Sequence, residues 1–101
     1  MDIKVTSTGS VGTIIMNGRF DFFAHREFKD AYSQLLQQKN LARLVLNMAD
    51  VSYLDSSALG MLLLLNERAA AENKIVELSR ANTTTKQIFD IANFGKLFTI
   101  S

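Results

Sequence analysis

One short stretch of the sequence places an acid and two hydroxyls directly before an apolar run. It reads VSYLDSSALGMLLLLNERAAAE, in which Asp55, Ser56 and Ser57 precede Met61 to Leu65. Aspartate is a favoured N-cap residue, because its carboxylate accepts hydrogen bonds from the free N–H groups of the first helical turn. With Asp55 as the cap, the two serines begin the helix. They admit two interpretations: a purely structural helix start, or a serine that another enzyme modifies.

The start of a helix is a favourable place for a phosphate, since unpaired N–H groups and the positive end of the helix dipole meet there. A phosphate on Ser56 would add about −1.5 to −2 units of charge at neutral pH. Repulsion from Asp55 would offset part of the gain. We expect the fold to survive this change, while a partner docked over the helix start would meet a new negative charge. Ser56 is therefore a candidate for a hydroxyl that switches binding.

The sequence lacks the residue patterns of the common catalytic sites. A serine hydrolase needs the elbow G-x-S-x-G and a histidine base, but Ser56 has no such elbow and the single histidine, His25, belongs to no motif. No Walker-type glycine loop is present. A receiver domain would carry its phosphorylated aspartate where Asn47 stands. With no cysteine and one histidine, we expect no metal site and no cofactor, and a protein that is not an enzyme.

The composition limits the classes of partner. The 101 residues carry 11 Lys and Arg against 10 Asp and Glu, a net charge of +1, so electrostatics give no reason to expect nucleic acid or an anionic membrane. The apolar run from Leu59 to Leu65 is far shorter than the roughly 20 residues that span a bilayer. The first ten residues show no signal-peptide pattern. We expect one domain over residues 1–101, cytoplasmic and monomeric.

The order of the predicted elements is typical of an α/β domain. We predict helices from Ala24 to Lys39, from the serine pair to about Glu72, and over NTTTKQIFDIANF; the predicted strands are IKV, GTIIMNGRFDF, ARLVLNM, NKIVELS and KLFTI. This alternation predicts a mixed, mostly parallel sheet of four to five strands with helices mainly on one face.

Apolar spacing predicts which side chains face the core. In the first helix the stripe is Phe28, Ala31, Tyr32, Leu35 and Leu36, and in the third helix it is Ile88, Phe89, Ile91 and Ala92. A second set of aromatic residues could form a stacking platform, but its spacing fits core positions on a strand end and the next helix, and no basic patch accompanies it. We therefore interpret these residues as core: Phe20, Phe22, Phe23, Phe28 and Tyr32. The consecutive residues Met61 to Leu65 point all around their helix, so we expect at least one of them to lie exposed in an apolar patch.

The whole chain resembles the STAS domains of bacterial anti-sigma factor antagonists. VLNMADVSYLDSSALGMLLLL is similar to that family's strand, loop and DSSGLG helix start. GTIIMNGRFDFFAHREFKDAY resembles its second strand, with a Gly-x-x-Asp end at Gly18 to Asp21, and IFDIANFGKLFTI resembles its closing segment. The motif together with this order of elements is specific, whereas DSS alone is not.

The resemblance implies a signalling circuit and a set of site residues. In that family an ATP-dependent serine kinase of the histidine-kinase-like ATPase type, which is also the anti-sigma factor, phosphorylates the first serine after the aspartate. The unphosphorylated antagonist binds this kinase and releases its client, phosphorylation breaks the complex, and a PP2C-type phosphatase reverses the modification. By position the acceptor is Ser56, and the implied partner-binding residues are Asp21, Asp55, Ser56, Ser57 and Leu59. The output can be a sigma factor, secretion, motility or biofilm.

The chain departs from the family at two places, and one alternative function stays open. Ala58 stands where the family often has glycine, which favours the helix. The sequence also ends directly after its last strand, where many members add a helix, so we do not expect a surface built from that helix. The alternative is a non-switching STAS module that binds a small molecule or serves as a subunit of a transport or signalling assembly. The intact DSS favours the switch.

Overall fold

A computed structural model describes all 101 residues. It contains a five-stranded sheet and three α-helices, which confirms the predicted α/β class. In chain order the elements are β1 (Asp2–Thr8), β2 (Val11–Phe20), α1 (His25–Leu36), β3 (Arg43–Leu54), α2 (Ser56–Ala71), β4 (Ile75–Ser79), α3 (Thr83–Ile91) and β5 (Thr99–Ile100); single 3-10 turns lie at Phe22–Ala24 and Phe94–Lys96. None of the helices combines the length and the apolar character needed to span a membrane.

The strands follow one another across the sheet in the order β1-β2-β3-β4-β5. β1 and β2 form an antiparallel hairpin, and the remaining three pairings are parallel. Each parallel pairing requires a crossover connection, which α1, α2 and α3 supply in turn. The prediction of a mixed and mostly parallel sheet is therefore confirmed.

β3 is longer than the sequence predicted. We expected this strand to end at Met48, but it continues to Leu54. β4 pairs with β3 only from Arg43 to Asn47, whereas β2 pairs with it as far as Phe20 opposite Leu54, through two irregularities in register. Residues 18–20 and 51–54 thus form a two-stranded projection beyond the sheet, which we call the β2–β3 extension.

A single hydrophobic core lies between the sheet and the helices. It contains 25 buried residues drawn from β2, β3, β4, all three helices and the segment before β5. Along β2 and β3 buried residues alternate with half-buried ones such as Ile15 and Val45. The helices therefore cover mainly one face of the sheet, as predicted.

Burial on the helices matches the predicted stripes with two corrections. On α1 the stripe is buried except for Leu36, which is half-buried, and on α2 Leu63 is 38% exposed, as expected for one member of the apolar run. On α3 Phe89 is buried, but Ile91 is 83% exposed, so its predicted inward position is wrong. The helix ends at that residue, and the chain turns through Asn93, which has a left-handed φ of 59°. The last strand is also shorter than predicted, with two residues.

The aromatic set divides between the core and the surface. Phe20, Phe28 and Tyr32 are buried, as predicted, and their rings contact one another in sequence. Phe22 and Phe23 are 67% and 89% exposed, so the prediction that they belong to the core is wrong. They occupy the 3-10 turn before α1, and Ala24 is the only buried residue of that turn.

Candidate functional site

Asp55 joins the end of β3 to the start of α2. Its backbone is extended, with φ −107° and ψ −178°, and its side chain caps the helix. Oδ1 accepts hydrogen bonds from the N–H of Ala58 at 2.9 Å and from the hydroxyl of Ser57 at 2.7 Å. The predicted role of Asp55 as the N-cap is confirmed.

The surroundings of Asp55 favour its charged form. The hydrogen bond from the Ser57 hydroxyl is the main cause that lowers the pKa of this carboxyl, followed by the N–H of Ala58. Partial desolvation opposes the shift, and weaker contacts from the backbone N–H groups of Phe22 and Ser57 add to it. Asp55 is thus a fixed negative charge that organises the helix start at neutral pH.

The two serines after Asp55 differ in what their hydroxyls can do. Ser57 is half-buried, and its hydroxyl is occupied by the Asp55 carboxylate. Ser56 is exposed, and no hydrogen bond in the structure involves its hydroxyl. It is also the first residue of a helix of 16 residues, close to the unpaired N–H groups of the first turn. Of the pair, only Ser56 offers a free hydroxyl to an incoming phosphate.

Asp21 lies beside Asp55, at the end of the neighbouring strand. The N–H of Asp55 donates to the carbonyl of Phe20 at 3.3 Å, which brings the ends of β2 and β3 together. Asp21 itself caps the 3-10 turn, because its Oδ1 accepts from the N–H of Phe23 at 3.0 Å. Its Oδ2 is 3.6 Å from Nε of Arg19. The structure therefore places Asp21 near the helix start, although no hydrogen bond joins its carboxylate to either serine.

The exposed face of α2 is partly apolar next to Ser56. Gly60 and Leu63 are exposed four and seven residues after Ser56, on the same side of the helix. An added Cβ at Gly60 would meet no atom within 4 Å. Leu59 is half-buried and packs against the core, so only part of this predicted contact residue is open to a partner.

Exposed aromatic residues lie at the ends of β2 and β3, although the sequence predicted Phe22 and Phe23 in the core. Phe22 and Phe23 belong to the turn held by Asp21. Tyr53 is 44% exposed on β3, with the guanidinium of Arg19 stacked 4.2 Å from its ring centre. A signal was present in the sequence: the buried stripe of α1 runs back from Phe28 to Ala24 and leaves both phenylalanines outside it.

The surface near the site offers little to a small ligand or a metal. No group of three Asp, Glu, His or Cys side chains is close enough to bind a metal ion. A cleft of about 240 Å³ lies between the β2–β3 extension and the start of α3, which is below the roughly 300 Å³ at which ligand pockets usually begin. Its lining residues are Ser52, Tyr53, Leu54, Asn82, Thr84, Thr85 and Ile88.

Comparison with known proteins gives one family. The family model described as "Mlab, STAS domain" matches residues 3–99 of this chain. A STAS-domain containing protein of Pseudomonas aeruginosa is 43% identical over 96 residues, which covers 95% of this chain and 93% of that protein.

Solved structures show the same fold at low sequence identity. The anti-sigma factor antagonist SpoIIAA in its unphosphorylated form matches with a TM-score of 0.77 and 18% identity, over 99% of this chain and 87% of SpoIIAA. A putative anti-sigma factor antagonist from Thermotoga maritima matches with 0.85 and 16%, over 97% and 84% of the two chains. The STAS domain of a SulP transporter from Vibrio cholerae matches with 0.75 and 20%, over 95% and 77%.

Proposed function

Because the chain belongs to the STAS domain family, we propose that it is a regulatory binding protein switched by phosphorylation of Ser56. In its unphosphorylated form it binds a serine kinase of the histidine-kinase-like ATPase type, which doubles as an anti-sigma factor, and so releases the client of that kinase. Phosphorylation of Ser56 ends the binding, and a PP2C-type phosphatase restores it. The protein acts in the cytoplasm as a monomer and is a substrate rather than an enzyme.

The free hydroxyl of Ser56 carries this proposal. A protein kinase needs an exposed hydroxyl whose oxygen can attack the γ-phosphate of ATP, and Ser56 is exposed while the hydroxyl of Ser57 is held by Asp55. The first turn of α2 then receives the phosphate among unpaired N–H groups. Modification therefore requires no rearrangement of the cap.

The fold should tolerate the phosphate. SpoIIAA is known in an unphosphorylated and a phosphorylated form, and this chain matches the two with TM-scores of 0.77 and 0.76. The fold that this chain shares is thus compatible with both states. The switch would act on the docking surface and leave the core unchanged.

The phosphate changes the charge of the docking surface rather than its shape. About two negative charges would be added next to the carboxylate of Asp55, with Asp21 at the end of the next strand. A partner that accommodates the neutral hydroxyl must then desolvate a cluster of like charges. Loss of binding follows from this cost without any change in conformation.

Mass spectrometry of the protein from its native cells tests the proposal, provided that Ser56 and Ser57 are resolved. We expect phosphate on Ser56 alone, at a level that varies with growth conditions. With the kinase identified by this modification, Ser56→Ala should keep its affinity and Ser56→Asp should lose at least about tenfold. Ser57→Ala serves as the matched control and should still be phosphorylated at Ser56. Equal affinity of the Ser56→Ala and Ser56→Asp proteins would contradict the switch.

One observation favours a second candidate function. The fold also matches the STAS domain of a SulP transporter, with a TM-score of 0.75. A non-switching module of this kind would bind a small molecule or a constitutive partner within a transport or signalling assembly. It predicts no phosphate on Ser56 under any growth condition and a partner affinity that is the same for Ser56→Ala and Ser56→Asp.

A further inference from the structure

Two adjacent aromatic side chains lie open to solvent in the turn before α1. Phe22 is 67% exposed and Phe23 is 89% exposed, with ring centres 6.2 Å apart in an edge-to-face arrangement. Single exposed apolar residues are common on protein surfaces and need no explanation. A pair of phenylalanines side by side forms a larger apolar patch, and such patches mark interaction sites.

The turn that carries the pair is fixed by hydrogen bonds. Oδ1 of Asp21 accepts from the N–H of Phe23 at 3.0 Å, and the carbonyl of Asp21 accepts from the N–H of Ala24 at 3.0 Å. Ala24 is buried in the core directly after the pair. The rings are therefore presented on a preorganised backbone, which lowers the entropy that a partner must remove on binding.

The pair lies beside Ser56. The N–H of Asp55 bonds to the carbonyl of Phe20, two residues before the first ring. Ser56 follows Asp55 directly. The aromatic turn and the first turn of α2 therefore start from two strand ends that a hydrogen bond joins.

The usual size of a protein interface indicates that a partner docked over Ser56 also covers this patch. A stable complex buries roughly 800 Å² on each partner, and this domain measures only 33 × 27 × 19 Å. A protein that docks over Ser56 with a normal interface must also cover the neighbouring turn. The two rings would then lie inside the interface, where aromatic residues contribute most to affinity.

We propose that Phe22 and Phe23 are the anchor by which the kinase that phosphorylates Ser56 holds this protein, through an apolar pocket next to its active site. This inference rests on the proposed function. It assigns separate tasks to neighbouring residues: the rings supply affinity for the kinase, and Ser56 determines whether the charge of the surface permits binding.

The test uses the kinase purified from the native cells by its ATP-dependent phosphorylation of Ser56. Binding to the Phe22→Ala/Phe23→Ala protein is measured with a non-hydrolysable ATP analogue, and phosphorylation is measured with ATP. We expect affinity to fall at least about tenfold, and KM for the protein substrate to rise while kcat is unchanged. Leu97→Ala is the matched control, because Leu97 is also an exposed apolar residue, with 51% of it exposed. It precedes β5 at the end of the sheet where the parallel strands begin, whereas Ser56 follows β3 at the end where they finish. Its affinity should equal that of the wild type.

The possible outcomes distinguish failure of the anchor from failure of the switch. Wild-type affinity and KM in the double variant, with binding still lost in Ser56→Asp, would overturn the anchor and leave the switch intact. Loss of affinity in the double variant together with equal binding of Ser56→Ala and Ser56→Asp would support the anchor and overturn the switch. Failure to find any kinase for Ser56 would overturn both. The double variant should keep the thermal midpoint of the wild type, since both side chains are largely exposed, and the conservative Phe22→Leu/Phe23→Leu protein should recover part of the affinity.

Discussion

The hydroxyl of Ser57 donates a 2.7 Å hydrogen bond to the Asp55 carboxylate, and this bond separates the roles of two adjacent serines. It fixes Ser57 as part of the helix cap and leaves the hydroxyl of Ser56 without a partner. Two adjacent serines that are identical in the sequence therefore have different roles in the structure. The asymmetry depends on the charge of Asp55, which leads to the first prediction.

Asp55 should contribute to stability in a pH-dependent manner. Because its folded-state pKa is lowered, the unfolded chain binds the proton more readily than the folded protein does. The contribution is therefore complete above the ordinary carboxylate pKa of about 4 and is lost as the pH falls through the lowered folded value. Asp55→Asn keeps an acceptor at the cap but removes the charge. Thermal midpoints of wild type and variant should differ at neutral pH and converge in acid. A gap that stays constant with pH would contradict this account.

Gly60→Ala should make the fold more stable and the docking weaker. Gly60 is exposed in α2, and an added Cβ meets nothing within 4 Å, so we expect the free energy of unfolding to rise by about 0.5–1 kcal/mol. The same methyl group would thicken the helix face one turn from Ser56 and reduce kinase affinity. Gly95→Ala, where a Cβ also meets nothing within 4 Å, is the control and should leave kinase affinity unchanged. Denaturant unfolding and binding are measured on the same samples. Unchanged affinity in Gly60→Ala would remove this helix face from the interface.

Gly12→Ala should have the opposite effect on stability. A Cβ at Gly12 would lie 2.9 Å from Cδ2 of Leu35 and 2.9 Å from Cδ1 of Leu41. Both leucines are buried, so their side chains have little room to move. We expect a loss of roughly 1–3 kcal/mol in the free energy of unfolding from overpacking. Urea titrations of this variant and of Gly60→Ala compare the same chemical change at a closed and an open position. A stability equal to that of the wild type would show that the leucines repack freely.

Asn82 should stabilise the protein through both ends of its side-chain amide. Its Oδ1 accepts from the N–H of Thr85 at 2.8 Å and caps α3, and its Nδ2 donates to the carbonyl of Val51 at 3.3 Å. Asn82→Ala removes both and should cost about 1–2 kcal/mol. Asn82→Asp keeps the cap acceptor but loses the donor, so it isolates the bond to the β2–β3 extension. Chemical denaturation should rank the proteins as wild type, Asn82→Asp and Asn82→Ala in order of decreasing stability. A larger loss in Asn82→Asp than in Asn82→Ala would contradict the prediction.

The sequence predicted the elements whose patterns are local. The helix start at Asp55 follows from cap chemistry, and the stripe of α1 follows from residues spaced three and four apart. Both are decided within a few residues, so the structure matches the prediction closely. The alternation of strands and helices added the mixed, mostly parallel sheet, whereas the order of the strands across it is seen only in the structure.

Three features differ from the prediction, one for a long-range reason and two for local reasons. β3 continues past Met48 because β2 is long enough to pair with it, although Ala49 and Asp50 are weak strand formers. The exposure of Phe22 depends on the turn that Asp21 holds, and hydrophobicity alone favoured the core. Ile91 has an apolar side chain but lies off the stripe that contains Thr85 and Phe89. Only the length of β3 depends on a distant part of the chain.

The β2–β3 extension has a consequence for how closely related proteins could coexist in one cell. Within residues 49–54 only Val51 and Leu54 are buried, while Ala49, Asp50, Ser52 and Tyr53 are exposed. Substitutions at these four positions would alter the shape and charge of the exposed surface of β3 without changing any buried side chain. Two descendants of one gene could therefore diverge in partner choice and avoid cross-talk at little cost in stability. Because this strand projects beyond the sheet, the surface that would select a partner can change in evolution while the core remains the same.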